Sequence, residues 1–167
     1  DFGMCGIVGQ FGTSIDEAWL SQELSNLRHR GPDHQSSVRV KENLLMGSTR
    51  LAMTDPNPRS HQPMVSEFGR SIITFNGEIY NYRELRKRLE STGIVFKTES
   101  DTEVLIKWLD VHGVSGFSEL NGMYALAYYS RIDKKLVLAR DHLGKKPLFT
   151  LLNGGNLYWS SSLNSLL

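Results

Sequence analysis

Apolar residues along the chain recur at two spacings, and the switches between them divide it into elements. Cys5 to Phe11, a run of small and β-branched residues, predicts a first strand, ended by Gly12. Ile15 to Arg28 changes to helical spacing, with Trp19, Leu20, Leu24 and Leu27 on one stripe and Asp16 and Glu17 at its positive N-terminal end. Gly31-Pro32 breaks that helix, after which Gln35 to Val40 and Leu44 to Thr54 read as strands. Asp55 to Ser60 is a loop on turn chemistry, since proline fixes φ and Asp and Asn bond back to the backbone. Ser71 to Phe75 is a short apolar strand that runs into Asn76-Gly77-Glu78.

Two helices follow in succession. Asn81 to Thr92 buries Tyr82, Leu85 and Leu89 and ends at Gly93; Thr102 to His112 buries Val104, Leu105, Trp108 and Leu109, with Asp101 placed as its N-cap. Strands return at Met123 to Tyr129, Leu136 to Arg140 and Pro147 to Leu152, and Asn153-Gly154-Gly155-Asn156 turns into Leu157 to Ser160. Strands dominate both halves without regular β-α-β alternation. The pattern therefore predicts an α+β fold: two packed, mostly antiparallel sheets with helices outside.

Composition narrows the function classes. The 167 residues are 40% hydrophobic and 22% charged, enough for one domain with a real core. A formal net charge of +1 gives no reason to expect nucleic acid or an acidic membrane as partner. No apolar run is long enough to span a bilayer, and a single cysteine suits a reducing compartment, so a cytoplasmic location is expected. Asp1-Phe2-Gly3, ahead of a natural-looking Met4, reads as an appended tail, which leaves 4–167 as the domain.

Several clusters could carry chemistry. Cys5 is either a small buried hydrophobe or a nucleophile. Asn76-Gly77 is either a hairpin turn or a pair of N–H donors of the kind an oxyanion hole needs. Arg50, inside a strand, either faces solvent or grips a carboxylate with its planar fork. Glu78 and Asp101 could receive an ammonium group, and Asp101 could do so while capping a helix. Such a set would clamp a free amino acid by both α-groups, its side chain facing a thiol. His29, His34, His61, His112 and His142 stand in turn or helix-end contexts and form no triad with Cys5. No spacing of ligands suggests a metal.

Seven blocks in order carry a resemblance. Met4-Cys5-Gly6-Ile7-Val8-Gly9, Leu27-Arg28-His29-Arg30-Gly31-Pro32-Asp33, His61-Gln62-Pro63-Met64, Phe75-Asn76-Gly77-Glu78-Ile79-Tyr80-Asn81, Ser100-Asp101-Thr102-Glu103, Leu120 to Ala125 and Ala139 to Leu148 resemble the glutaminase domain of class II glutamine amidotransferases, in the asparagine synthetase branch. The resemblance implies an N-terminal nucleophile hydrolase fold, a four-layer αββα sandwich. It implies hydrolysis of L-glutamine to glutamate and ammonia through a thioester on Cys5, with Asn76 and the Gly77 N–H as oxyanion hole. Arg50 would bind the α-carboxylate, Glu78 and Asp101 the α-ammonium, and Leu51 and Met53 would line the pocket with backbone groups. No cofactor is expected in this domain. ATP and Mg²⁺ belong to the synthetase domain or subunit that receives the ammonia, and that domain is absent from these residues.

In this family the α-amine of an N-terminal cysteine takes the thiol proton. Such an amine has a pKa near ~8, within reach of a general base at neutral pH. With Met4 attached, the Cys5 nitrogen is an amide whose lone pair is delocalised, so that form is expected to be inactive. Trp159 to Asn164 carries serine and asparagine where this branch usually shows an acidic and a basic residue, which puts coupling to the synthetase domain in question. The chain stops there, either cut short or as a separate glutaminase subunit. A catalytically silent domain with a binding or regulatory role is the alternative, and a sugar, polysaccharide or peptide carboxylate could replace aspartate as acceptor.

Overall fold

A computed structural model describes residues 6–27, 34–50 and 61–167, with His34 and Arg50 described by backbone alone. The elements are β1 (Gly6–Phe11), α1 (Glu17–Leu27), β2 (His34–Lys41), β3 (Leu44–Arg50), β4 (Met64–Val65), β5 (Ser71–Ile79), α2 (Tyr82–Glu90), α3 (Asp101–His112), β6 (Gly122–Ser130), β7 (Lys135–Arg140), β8 (Phe149–Asn153) and β9 (Asn156–Ser160), with short 3-10 turns between some of them. One sheet has the order β2-β3-β1-β9-β8 and the other β4-β5-β6-β7. Every pairing is antiparallel.

Side-chain alternation sorts these elements into four layers. On β1, Val8 meets Leu20, Leu24 and Leu27 of α1, joined by Leu45 of β3. The opposite faces of the same strands send Leu44 and Met46 inward with Val40 and Trp159, against Ile72, Ala127 and Tyr129 of the second sheet. The outer face of that second sheet presents Ile73, Phe75, Ile79 and Leu126 to Leu85, Leu89, Val104, Leu105 and Trp108 of α2 and α3. Each fully buried apolar side chain of this kind contributes about 1.5–3 kcal/mol. The expected order of helix, sheet, sheet, helix is what the chain builds. No helix among the described residues is long and apolar enough to cross a membrane.

Three boundaries differ from the sequence reading. Asn76-Gly77-Glu78 does not follow β5 but lies within it, since the strand runs on to Ile79 with its β6 register unbroken. The glycine permits this: at Gly77, φ is +138° and a Cβ would stand 2.0 Å from the Met123 carbonyl oxygen. The N-cap of α3 is Ser100, whose side chain accepts from the Glu103 amide, and Asp101 is the first helical residue. The last hairpin opens at Phe149 instead of Pro147, which has no amide hydrogen for a ladder. The part of the third predicted strand beyond Arg50 lies outside the described residues.

Candidate active site

The interior between the sheets changes character along β5. Ile72 joins the apolar contact, but Thr74 and Asn76, two and four residues on and on the same face, are polar and buried. Across the sandwich, Ser48 takes the corresponding inward position on β3 after Leu44 and Met46. Asn76 is 1% exposed, and its Nδ2 has no hydrogen-bond partner among the described residues; the same is true of Thr74 Oγ1. A buried amide donor left without an acceptor costs about 1–3 kcal/mol, so a fold that keeps one has a use for it.

Gly77 adds a second free donor by a separate route. Antiparallel alternation sends the amides of even-numbered β5 residues to β6, as the Tyr80 amide goes to the Asn121 carbonyl, and the odd-numbered ones to the other edge. Tyr124, opposite Gly77, turns its own N–H to Asp141 Oδ1 and its carbonyl to the Asp141 amide, both on the far side. On the outer edge β4 covers only Ile72 and Ile73. Beyond it Phe75 N–H is taken by Gln62 Oε1, and Ile79 N–H by Asp101 Oδ2 at 3.1 Å. Between these two capped amides, no acceptor for the Gly77 N–H stands among the described residues.

Acidic groups gather at the same end. Asp101 is 4% exposed, and burial pushes its carboxyl up to about 6; the Ile79 amide works against that rise, and the nearby Glu78 charge adds to it. Glu78 itself is exposed. Two carboxylates so placed, one of them buried, have the charge to receive a cation. Asp101 is held there by the turn before α3. Glu103 accepts from the Lys97 and Thr98 amides and from Thr98 Oγ1, and pairs with Lys107 Nζ at 3.0 Å. Burial would raise the Glu103 carboxyl, but these donors outweigh it and hold it below its usual range.

The start of β1 is fixed as firmly. Gly6 N–H donates to Thr49 Oγ1 at 3.0 Å, and that hydroxyl donates to the Leu27 carbonyl. Ile7 N–H donates to Ser161 Oγ at 2.9 Å, and the Ser161 amide returns a bond to the Ile7 carbonyl. The serine-rich segment after Trp159 thus ties down the strand that begins just after Cys5.

The structure brings Asn76, Gly77, Glu78 and Asp101 to one end of β5. Cys5, Leu51 and Met53 lie outside the described residues, as does the Arg50 side chain; the Arg50 backbone closes β3 opposite His34. Among the described residues no group of three His, Cys, Asp or Glu side chains could hold a metal. Sequence reasoning gave no role to Gln62, Ser100, Glu103 or Asp141. For Ser100 and Glu103 the signal was available, because Ser-x-x-Glu before an apolar helical run is a capping box. Gln62 and Asp141 stand in blocks that carry the resemblance, but no local pattern names their partners, which are 13 and 17 residues away.

Known proteins resemble this chain over nearly its whole length. Residues 4–167 match the family described as the glutamine amidotransferase domain. The chain is 37% identical over 170 residues to asparagine synthetase [glutamine-hydrolyzing] 1 of Bacillus subtilis, covering 98% of this chain and 27% of that protein. It is 34% identical over 168 residues to asparagine synthetase B [glutamine-hydrolyzing] of Escherichia coli, covering 98% of this chain and 30% of that one. It thus spans under a third of the length of these relatives. Among solved structures, glutamine phosphoribosylpyrophosphate amidotransferase from B. subtilis superposes with a TM-score of 0.79 at 22% identity, over 97% of this chain and 43% of that one. That likeness is one of fold, the N-terminal nucleophile hydrolase sandwich.

Proposed function

Because the chain belongs to the glutamine amidotransferase domain family, in its asparagine synthetase branch, we propose that it hydrolyses L-glutamine to glutamate and ammonia through a thioester on Cys5. The α-amine of Cys5, freed of any preceding residue, takes the Sγ proton, and the thiolate attacks the side-chain amide carbon of glutamine. Charge developing on the amide oxygen is received by Asn76 Nδ2 and the Gly77 N–H. Collapse of the tetrahedral adduct breaks the C–N bond, and the proton held on the α-amine leaves with ammonia. Water then cleaves the thioester to release glutamate. The Arg50 guanidinium grips the α-carboxylate, Glu78 and Asp101 hold the α-ammonium, and backbone groups of Leu51 and Met53 complete the pocket.

The observation that carries this reading is the pair of unclaimed donors on neighbouring residues, one a buried side-chain amide and one a strand-edge N–H. Neither has a partner among the described residues, and together they suit an oxygen that is negative only during reaction. A form with Met4 in peptide linkage has no basic nitrogen at Cys5 and is inactive on this scheme. The ammonia passes to a synthetase domain or subunit, a reading supported by relatives named glutamine-hydrolyzing asparagine synthetases, and ATP and Mg²⁺ act there. Mass spectrometry of the Cys5-initiated chain, quenched in acid during turnover, tests the chemistry. A glutamyl adduct on Cys5 that disappears when glutamine is exhausted supports the thioester; turnover with no adduct and full activity in Cys5→Ala overturns it.

A further inference from the structure

We infer that Gln62 is a positioning residue for the oxyanion donor Gly77, acting through the outer edge of β5; this rests on the function proposed above. The β4–β5 register pairs Met64 with Ile73 and Val65 with Ile72, and continuing it sets residue 62 opposite Phe75. There the backbone pairing has ended, and the Gln62 side chain replaces it, its Oε1 accepting from the Phe75 amide. Gln62 is 3% exposed. Two residues beyond Gly77, Asp101 does the same for Ile79, at 3.1 Å.

The two caps bracket Gly77 symmetrically. Phe75 and Ile79 are also the apolar anchors of this stretch, buried against α2 and α3, whereas Gly77 has no side chain to hold it. Its amide direction is therefore set by its neighbours. Without Gln62 Oε1 the buried Phe75 N–H has no acceptor, and the strand edge shifts to find one. Such a shift carries the Gly77 N–H off the substrate oxygen. It leaves Asp101 in place, because the turn that carries it is held separately through Ser100 and Glu103.

The test compares Gln62→Met, which keeps the volume and removes the acceptor, with Gln62→Glu, which restores an acceptor, in a chain beginning at Cys5. Expected for Gln62→Met is a kcat about 10- to 100-fold lower with KM within about twofold. Alkylation of Cys5 by iodoacetamide, which forms no oxyanion, keeps its rate, and Gln62→Glu recovers most of the lost kcat. An unchanged kcat, a parallel fall in alkylation rate, or a Gln62→Glu no better than Gln62→Met overturns the inference. Should Gln62→Met fail to fold, amide hydrogen exchange on the unaltered chain decides. Phe75 and Ile79 protected, with Gly77 exchanging at least about tenfold faster, upholds the bracket, and equal protection at all three refutes it. If the unaltered Cys5-initiated chain releases no ammonia, the proposed function fails, while the exchange pattern still judges the bracket.

Discussion

The two ends of the space between the sheets are built by opposite rules. At one end Val40, Leu44, Met46, Ile72, Ala127, Tyr129 and Trp159 interlock as hydrocarbon. At the other, the same strands turn inward Ser48, Thr74 and Asn76, and two of those three keep a polar atom without a partner among the described residues. One end yields stability from burial; the other gives some of it up to hold donors ready. A side chain's position along β5 therefore says which of the two it serves, and substitutions at the two ends should fail in different ways.

The sharpest break in that division is Gly77→Ala, which should damage both properties. Its Cβ would overlap the Met123 carbonyl at 2.0 Å, so a loss of about 2–4 kcal/mol in urea unfolding is expected, with kcat down at least about 100-fold. Met46→Ala, at the apolar end, should cost about 2–5 kcal/mol of stability and leave kcat per folded molecule unchanged. Asn76→Ala should do the reverse. It should lower kcat about 10²–10³-fold at similar KM, while stability stays within about 1 kcal/mol, because the Nδ2 donor removed has no partner among the described residues.

Asp101 sharpens the comparison through pH. Its carboxyl sits at about 6 in the fold against an ordinary 3.8, so between those values the folded chain holds the extra proton. Stability should consequently fall as pH rises from about 4 to 6, by up to about 3 kcal/mol, and Asp101→Asn should flatten that slope in a series of thermal melts. Affinity for glutamine should move the opposite way, KM rising below pH 6 as the carboxylate that receives the ammonium becomes neutral. The smallest effect belongs to the exposed Arg39–Glu17 pair at 2.7 Å. Glu17→Ala should change unfolding free energy by no more than about 1 kcal/mol, and less in high salt.

Much of this was legible in the sequence, for reasons that separate local from distant causes. Helices α2 and α3 follow from stripes such as Leu85-Leu89 and Val104-Leu105-Trp108, and the last hairpin from Gly154-Gly155, because both signals act within a few residues. The two-sheet layering followed from the order of strands. The continuation of β5 through Gly77 was not legible, since that glycine answers to a carbonyl on β6. Nor was the work of Asp101, which a local rule makes a cap; the true cap, Ser100, is written in the Ser100-x-x-Glu103 box. The candidate residues Asn76, Gly77, Glu78 and Asp101 came from family resemblance more than from spacing. Only the fold shows that two of them carry donors with no partner among the described residues.

Ammonia release from L-glutamine is the measurement that bears most directly on the central claim, run on the chain beginning at Cys5, on the same chain with Met4 retained, and on Cys5→Ala. The account predicts equal amounts of ammonia and glutamate from the first, and a rate at least about 100-fold lower from the other two. Equal turnover with Met4 in place, or no ammonia from the Cys5-initiated chain, would contradict it.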